Sequence, residues 1–393
     1  MNANDDREKQ LLRHLFHRGP ATRTELAEAL GLRRNTVGDL CAMLLKSNML
    51  HEMDTDRRRN VRLALRPDFL HAIGVQHMPD EFHVAVMDAA CAVRVQSAVD
   101  VRGLCGAARC EALGREIESL LRREGLTGER VAGIGFADLA IIDPARGRSV
   151  RSAHIPGWSD IPTCEILAQA TGLPTWLIGF TDAVAVMELR AIAEPGWETA
   201  LCVWLDRAIG LAVFADGRPL RGNHSVFGEM GHIVLDPMGS VCRCGNRGCL
   251  ETIAATGAVI QRVERGIAQG AEFHTDGGEI AMGGVLANAK QGNRLAVRVL
   301  DEAAGAVGRA LAIAVNLFGI SRVLLFGELM KAEDVVIGPI QEAVRRGCVA
   351  PINVDVTYRI SAPAPLRAAE GAAYMAFLNY FCSTSDADTR RTE

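Results

Sequence analysis

The chain has 393 residues, enough for two or three domains with sizeable cores, and 49% of it is apolar. Its net charge of −4 is uneven: residues 1–66 carry 13 Lys and Arg against 9 Asp and Glu, and the remainder 30 against 38, so a basic N-terminal module precedes an acidic body. The polar start MNANDDREKQ offers no apolar signal core, no run reaches the roughly 18 apolar residues of a membrane span, and eleven cysteines without a small disulfide framework fit a reducing cytoplasm.

Residues 8–19 place Leu11, Leu12, Leu15 and Phe16 at helical spacing, and Gly19-Pro20 ends that run. A second helix starts at Thr22, which forms a Thr-x-x-Glu capping box with Glu25 and turns Leu26, Ala27 and Leu30 inward. Gly31 makes the turn into a third helix, about Arg33 to Lys46, with Val37, Leu40, Leu44 and Leu45 on one stripe. Three short helices with a Gly-containing turn predict a helix-turn-helix. Two extended runs around the polar tip of HEMDTDRRRNVRLAL predict a β-wing, so residues 1–66 read as a winged helix-turn-helix DNA-binding domain. A plain three-helix bundle would show the same stripes; the polar start of the third helix and the arginine tip favour the DNA reading. Arg33, Arg34, Asn35 and Thr36 are the candidates for base reading in the major groove, where Arg suits guanine and Asn adenine. Arg57, Arg58 and Arg59 are the candidates for phosphate or minor-groove contact.

From His71 on, the runs AIGVQH, FHVAVMD and AVRVQSAVDV predict three strands, followed by a helix from about Ala107 to Glu124 and a strand in VAGIGFADLAII. This order resembles the ribonuclease-H-like lobe of sugar kinases and actin. A second lobe is expected from Leu201, with strands ALCVWLD and GLAVFAD, helices at 252–270 and 295–317, a strand RVLLFGE and a last helix from about Pro365 to Phe381. The apolar stretch from Leu311 to Phe326 is broken by Asn316 and Arg322 and reads as buried core. The expected division is a head at 1–66, a first lobe at 67–200, a second lobe at 201–382 and a disordered polar tail at 383–393.

Within the second lobe, Gly228 to Glu251 reads GEMGHIVLDPMGSVCRCGNRGCLE. His232, Cys242, Cys244 and Cys249 make the ligand count of a closed, structural tetrahedral zinc site, and Gly239, Gly245 and Gly248 let a short loop fold back so that the four converge. The Cys-x-Cys gap is tighter than in zinc fingers, and a histidine beside free thiols is the competing reading; clustering with glycines favours zinc. The pattern Gly-Glu-x-Gly-His followed by Cys-x-Cys-Gly-x-x-Gly-Cys-x-Glu resembles the signature of the ROK family (repressor, open reading frame, kinase). That family includes bacterial sugar kinases and the repressors of xylose and N-acetylglucosamine operons. The resemblance implies a two-lobed actin/hexokinase-like body of α/β class, zinc on the same four residues, and sugar contacts from Glu229 and Glu251. The head resembles the N-terminal module of the ROK repressors, which the kinases of the family lack.

Three loops that hold ATP in family kinases are altered. The Asp-x-Gly-x-Thr hairpin is Gly74-Val75-Gln76-His77-Met78-Pro79-Asp80, with Gln76 at the aspartate and a proline that has no amide proton to offer. The Gly-Thr-Gly-x-Gly loop is Asp206-Arg207-Ala208-Ile209-Gly210, whose carboxylate repels phosphate, and the adenosine-side glycine pair is Phe326-Gly327-Glu328. On the sugar side, Glu-Asn-Asp-Ala-Asn is Phe180-Thr181-Asp182-Ala183-Val184 and a backbone-approach Pro-Gly is Asp138-Leu139. Asp182 keeps the position of the catalytic base by this resemblance, and reads equally as a helix N-cap.

These features predict a protein that is not an enzyme: a transcriptional regulator, a repressor of a carbohydrate-related operon. It would act as a homodimer or dimer of dimers on an inverted repeat of double-stranded DNA. A sugar or sugar-phosphate effector would be held in the interlobe cleft by Asp182, Glu229, His232 and Glu251, whose carboxylates and imidazole suit a polyhydroxyl ligand. A regulator controlled by a protein partner, and an active sugar kinase with an appended DNA module, are the alternatives.

Overall fold

A computed structural model describes residues 3–53, 61–152, 154–192, 194–222, 226–275, 278–351 and 355–382. The chain falls into two compact units, residues 1–183 with 366–393, and residues 184–365.

The first unit begins with three helices, α1 (Ala3–Arg18), α2 (Arg23–Leu30) and α3 (Arg34–Lys46). Leu11, Leu12, Leu15 and Phe16 are buried on α1, as their spacing requires. Thr22 caps α2 reciprocally: the Glu25 amide donates to Thr22 Oγ1 at 3.2 Å, and the Thr22 amide donates to Glu25 Oε2 at 2.8 Å. Gly31 ends α2 at φ 64°, a left-handed turn that only glycine adopts without cost. Helix α3 buries Val37, Leu40, Cys41 and Leu44. Strands β1 (Ala21–Thr22), β2 (Leu50–Glu52) and β3 (Arg62–Leu65) form a three-stranded antiparallel sheet in the order β1-β3-β2.

The rest of the first unit is built on a sheet of β4 (His71–His77), β5 (Glu81–Asp88), β6 (Val93–Asp100), β7 (Val131–Asp138) and β11 (Thr175–Gly179). Their order is β11-β7-β4-β5-β6; the first three strands in sequence pair antiparallel, β7 pairs parallel with β4, and β11 parallel with β7. Strands β4 and β7 are buried along their whole length, apolar in their middles with the polar His71, Gln76, His77 and Asp138 at their ends, whereas the edge strand β6 alternates between half-buried and exposed positions. A small antiparallel sheet of β8 (Ile141–Asp143), β9 (Arg148–Arg151) and β10 (Ser159–Ile161) lies between β7 and β11 in sequence.

Helices α4 (Ala107–Arg123) and α5 (Thr163–Thr171) cover the face that carries Ile73 and Val75. The opposite face carries Gly74 and Gly135, and there the C-terminal helix, Arg367–Cys382, lies against the bare backbone. A Cβ at Gly74 would stand 1.8 Å from the Ala369 carbonyl, and one at Gly135 2.0 Å from that of Ala372. Glycines in β4 and β7 open a seat for the last helix, which falls in the first compact unit, and the two units part between residues 183 and 184.

The second unit holds β12 (Ala200–Leu205), β13 (Ile209–Ala215), β14 (Arg218–Pro219), β15 (Arg322–Phe326) and β16 (Thr357–Ser361) in the order β14-β13-β12-β15-β16. The first three strands are again antiparallel neighbours, with two parallel strands added on the other side. Its core comes from the sheet, from α8 (Thr256–Ala268) and α9 (Met282–Lys290), from α10 (Arg294–Phe318), capped by Asn293 and ended by Gly319, and from α11 (Glu333–Gly347). Helix α6 (Phe180–Ala191) is the element in which the two units part.

Candidate functional site

The loop between β14 and α7 (Glu251–Ala254) has little regular structure and is shaped by its glycines. Gly248 has φ 65°, and a Cβ there would fall 1.5 Å from the Asp236 carbonyl, so no other residue fits. The Cys242 amide donates to the Asn246 carbonyl at 2.7 Å and the Gly245 amide to the Cys242 carbonyl at 3.0 Å, which forms a tight knuckle. The knuckle returns the chain so that His232, Cys242, Cys244 and Cys249 converge, with their ligand atoms all within 4.8 Å of one another. Cys242 Sγ lies 3.6 Å from His232 Nδ1, and Cys244 Sγ 3.6 Å from Cys249 Sγ. Zinc bonds of about 2.3 Å to sulfur and 2.0 Å to nitrogen give a tetrahedron with edges of about 3.5–3.8 Å, which the two 3.6 Å separations match, so the donor set suits a tetrahedral metal ion.

The histidine links this cluster to a carboxylate. Its Nε2 stands 3.7 Å from Glu229 Oε2 while Nδ1 faces the sulfurs. Burial pushes the Glu229 carboxyl above its ordinary range, His232 opposes this, and Glu251 adds to it. Glu251 Oε1 accepts the Ile209 amide at 3.0 Å, and Gly231 has no side chain because a Cβ there would meet the Ile209 carbonyl and Glu251. The structure thus brings together Glu229, His232 and Glu251 in the second unit. Asp182 lies in the first unit, at the third residue of α6, with its carboxylate folded back over Gly179. The helix begins at Phe180, so the N-cap reading of Asp182 is incorrect; a carboxylate in the first turn still meets the positive end of the helix.

In the head, Arg33 stands just before α3 with no side-chain capping bond, and Arg33, Arg34 and Asn35 are exposed while Thr36 is half-buried. Arg57, Arg58 and Arg59 lie outside the described residues.

A family model described as the ROK family matches residues 73–378. The chain belongs to the ROK family. It is 25% identical over 333 residues to the DNA-binding transcriptional repressor Mlc of Escherichia coli (strain K12), covering 84% of this chain and 82% of that protein. In fold it resembles a ROK family transcriptional regulator described as a homolog of the E. coli protein, with a TM-score of 0.83, 22% identity and 96% of both chains covered. A ROK hexokinase from Thermus thermophilus matches with a TM-score of 0.65 and 28% identity, over 79% of this chain and 99% of its own.

The loop at residues 206–210, which stands where the family resemblance implies a phosphate loop, has its amides engaged by the chain's own groups. The Asp206 carboxylate accepts the Arg207 amide at 2.6 Å, the Asp206 amide donates to Ala208 O at 3.1 Å, and the Ile209 amide is held by Glu251. Amides that would cradle an anion are therefore already committed.

The β4–β5 hairpin carries a network that sequence reasoning missed. Asp138 is fully buried at the end of β7 and accepts from His77 Nδ1 at 2.9 Å, Ala140 N at 3.1 Å, Ser149 Oγ at 2.5 Å and Trp158 Nε1 at 3.0 Å. His77 is boxed by Phe82, Phe136 and Trp158, and Arg109 donates to the carbonyls of Met78 and Pro79. The one sequence signal was the acid at the end of the apolar run GIGFAD. Burial holds His77 below its ordinary value of 6.5, outweighing the pull of Asp138, with Arg109 helping to lower it. Burial opposes ionisation of Asp138, but His77 and the Ser149 and Trp158 hydrogen bonds hold its carboxyl below 3.8.

Both shifts make acid destabilising. The unfolded chain binds a proton at His77 below about pH 6.5 and at Asp138 below about pH 4, where the folded chain binds less. The unfolding midpoint is expected to fall between pH 7.5 and 5, with His77 contributing up to about 1.4 kcal/mol per pH unit. A His77→Gln variant, which keeps a donor to Asp138, should show a flatter profile by differential scanning fluorimetry. A wild-type slope no steeper than the variant's would show that His77 titrates as it does in the unfolded chain.

Proposed function

We propose that this ROK-family protein is a sequence-specific DNA-binding transcriptional regulator, a repressor of a carbohydrate-related operon. The observation that carries this reading is the head: three helices and a small antiparallel sheet, which we read as a winged helix-turn-helix, with Arg33, Arg34 and Asn35 exposed at the start of α3, where such motifs meet base edges. The comparisons support it. The regulator neighbour covers 96% of the chain and the hexokinase 79%, a difference of about the head's size, and the relative Mlc is by name a DNA-binding transcriptional repressor. No helix among the described residues is long and apolar enough to cross a membrane.

The working form in this reading is a homodimer or dimer of dimers, whose paired heads grip an inverted repeat with half-sites about one or two helical turns apart. Arg33, Arg34, Asn35 and Thr36 read bases, and Arg57, Arg58 and Arg59 hold phosphate or enter the minor groove. A zinc ion on His232, Cys242, Cys244 and Cys249 would supply a fixed tetrahedral anchor for the loop. That anchor holds the His232 ring with Nε2 toward Glu229, and Glu229, His232 and Glu251 together present acceptors and a donor suited to a polyhydroxyl effector such as a sugar or sugar phosphate.

Two measurements test this function. Asn35→Ala should weaken operator binding by about 1–3 kcal/mol and relax preference at a single base pair, read by mobility shift on duplexes selected by the wild type. Equal binding of the wild type to any duplex, or binding to none, would defeat the repressor reading. A coupled assay with ATP over a panel of hexoses should show no phosphorylation, since Asp206 and Glu251 hold the loop amides that a nucleotide would need. Turnover abolished by Asp182→Asn would overturn the non-catalytic reading.

A further inference from the structure

The head is keyed to the C-terminal helix by a specific joint. Phe16 of α1 is buried in a cluster with Tyr374 (ring centroids 5.0 Å apart, stacked), Phe377 (4.7 Å) and Phe381 (5.7 Å). The next residue, His17, places Nδ1 2.6 Å from the Tyr374 hydroxyl. Farther along, Lys9 Nζ sits 5.5 Å over the Tyr380 ring. Helix α1 also packs on α2 and β3, so its direction sets that of the whole head.

On its other side the same helix has no slack. At Gly371 a Cβ would lie 1.7 Å from the Ala183 carbonyl, at Gly74 1.8 Å from Ala369 O and at Gly135 2.0 Å from Ala372 O. These are contacts of backbone on backbone with no flexible side chain between them. Ala183 follows Asp182 in the first turn of α6, and Tyr374 is one helical turn from Gly371. Close-packed backbones transmit a displacement that a layer of side chains would absorb.

We propose that the C-terminal helix is the positioning element of the DNA-facing head. The Phe16 stack and the His17–Tyr374 hydrogen bond fix the head's angle, and the Gly371–Ala183 contact makes that angle answer to the first turn of α6. The inference rests on the head being a DNA-binding module, and it adds which residues aim it. A fixed angle matters only when two heads must reach two half-sites together. A single head on a single half-site does not sense it. Loosening the joint therefore costs ordering entropy on the inverted repeat and almost nothing on the half-site.

The test uses the full chain and two duplexes selected by the wild type, an inverted repeat and one half-site, read by fluorescence anisotropy. Tyr374→Phe keeps the ring and removes the hydroxyl. His17→Leu removes the bond from the other side. Each should weaken binding to the inverted repeat by roughly three- to tenfold, the range of one net hydrogen bond, with half-site affinity unchanged. The double variant should be no weaker than either single one, because both remove the same bond. Gly371→Ala should reproduce the selective loss by pushing the helix off Ala183; should that variant not fold, the other two decide. Wild-type affinity of Tyr374→Phe and His17→Leu on both duplexes would overturn the proposal. An equal loss on both duplexes would overturn it too, by showing damage to the head itself. A wild type that binds no duplex would instead refute the DNA-binding reading, and the inference with it.

Discussion

Cys249→Ser is expected to strip the metal from the loop and unfold its exposed middle, around residues 236–248. Cys249 is wholly buried, its sulfur 3.6 Å from Cys244 Sγ, and serine offers no thiolate. Met230 and Leu250 tie the ends of the loop into the core of the second unit, but its middle is bare, with Met238 90% exposed and Val241 61%, and is held by loop backbone bonds such as Leu235 N to Gly248 O. In such a segment the free energy of metal binding is the free energy of folding, on the order of 10 kcal/mol for zinc in isolated fingers. The loss measured here is capped where the loop opens on its own while the sheet of the second unit stays folded. Elemental analysis should find about one zinc per wild-type chain and almost none in the variant. Limited proteolysis should cut the variant near Met238 or Arg247 while sparing the rest of the second unit. Full zinc content with an uncut loop would refute both the ligand set and the loop's dependence on it.

Gly74→Ala should cost about 3 kcal/mol, the upper range for overpacking, although it adds one methyl group. The new Cβ would stand 1.8 Å from Ala369 O and 2.7 Å from Ala373 N, and both are backbone atoms that no rotamer change can move. Strand β4 is the centre of its sheet, so the C-terminal helix must give way instead. The thermal transition of the first unit should drop by about 6–12 °C. A drop below about 2 °C would mean that the helix has slack, and would also remove the physical basis for its role in aiming the head.

Local chemistry was legible in the sequence and long-range pairing was not. Thr22 and Glu25 announced their capping box because both halves lie within one turn. The histidine and three cysteines announced their cluster because one glycine-rich loop carries all four. The seat of the C-terminal helix was hidden, since Gly74 and Gly135 look like ordinary strand glycines until the backbone that fills their place arrives from some 230 to 300 residues away along the chain. The helix itself, AAEGAAYMAFLNY, is small and apolar on most sides and gives no hint of which sheet it covers. His77 and Asp138 are 61 positions apart and carry opposite roles in the sequence patterns, one in a hairpin and one at a strand end. The motif around Glu251 points to a sugar contact, but its acceptance of the Ile209 amide spans 42 positions and is visible only in the fold.

The C-terminal helix also imposes an order on synthesis. Residues 184–365, the whole second unit, leave the ribosome before the helix that closes the first. The second unit can therefore finish folding while β4 and β7 still expose the glycine face that Arg367–Cys382 will cover, and while Phe16 still lacks its aromatic partners. This reverses the usual N-to-C progression of domain folding. A nascent or truncated chain without that helix would carry an unanchored head, so a regulator with its head correctly aimed emerges only from a ribosome that has read past residue 382.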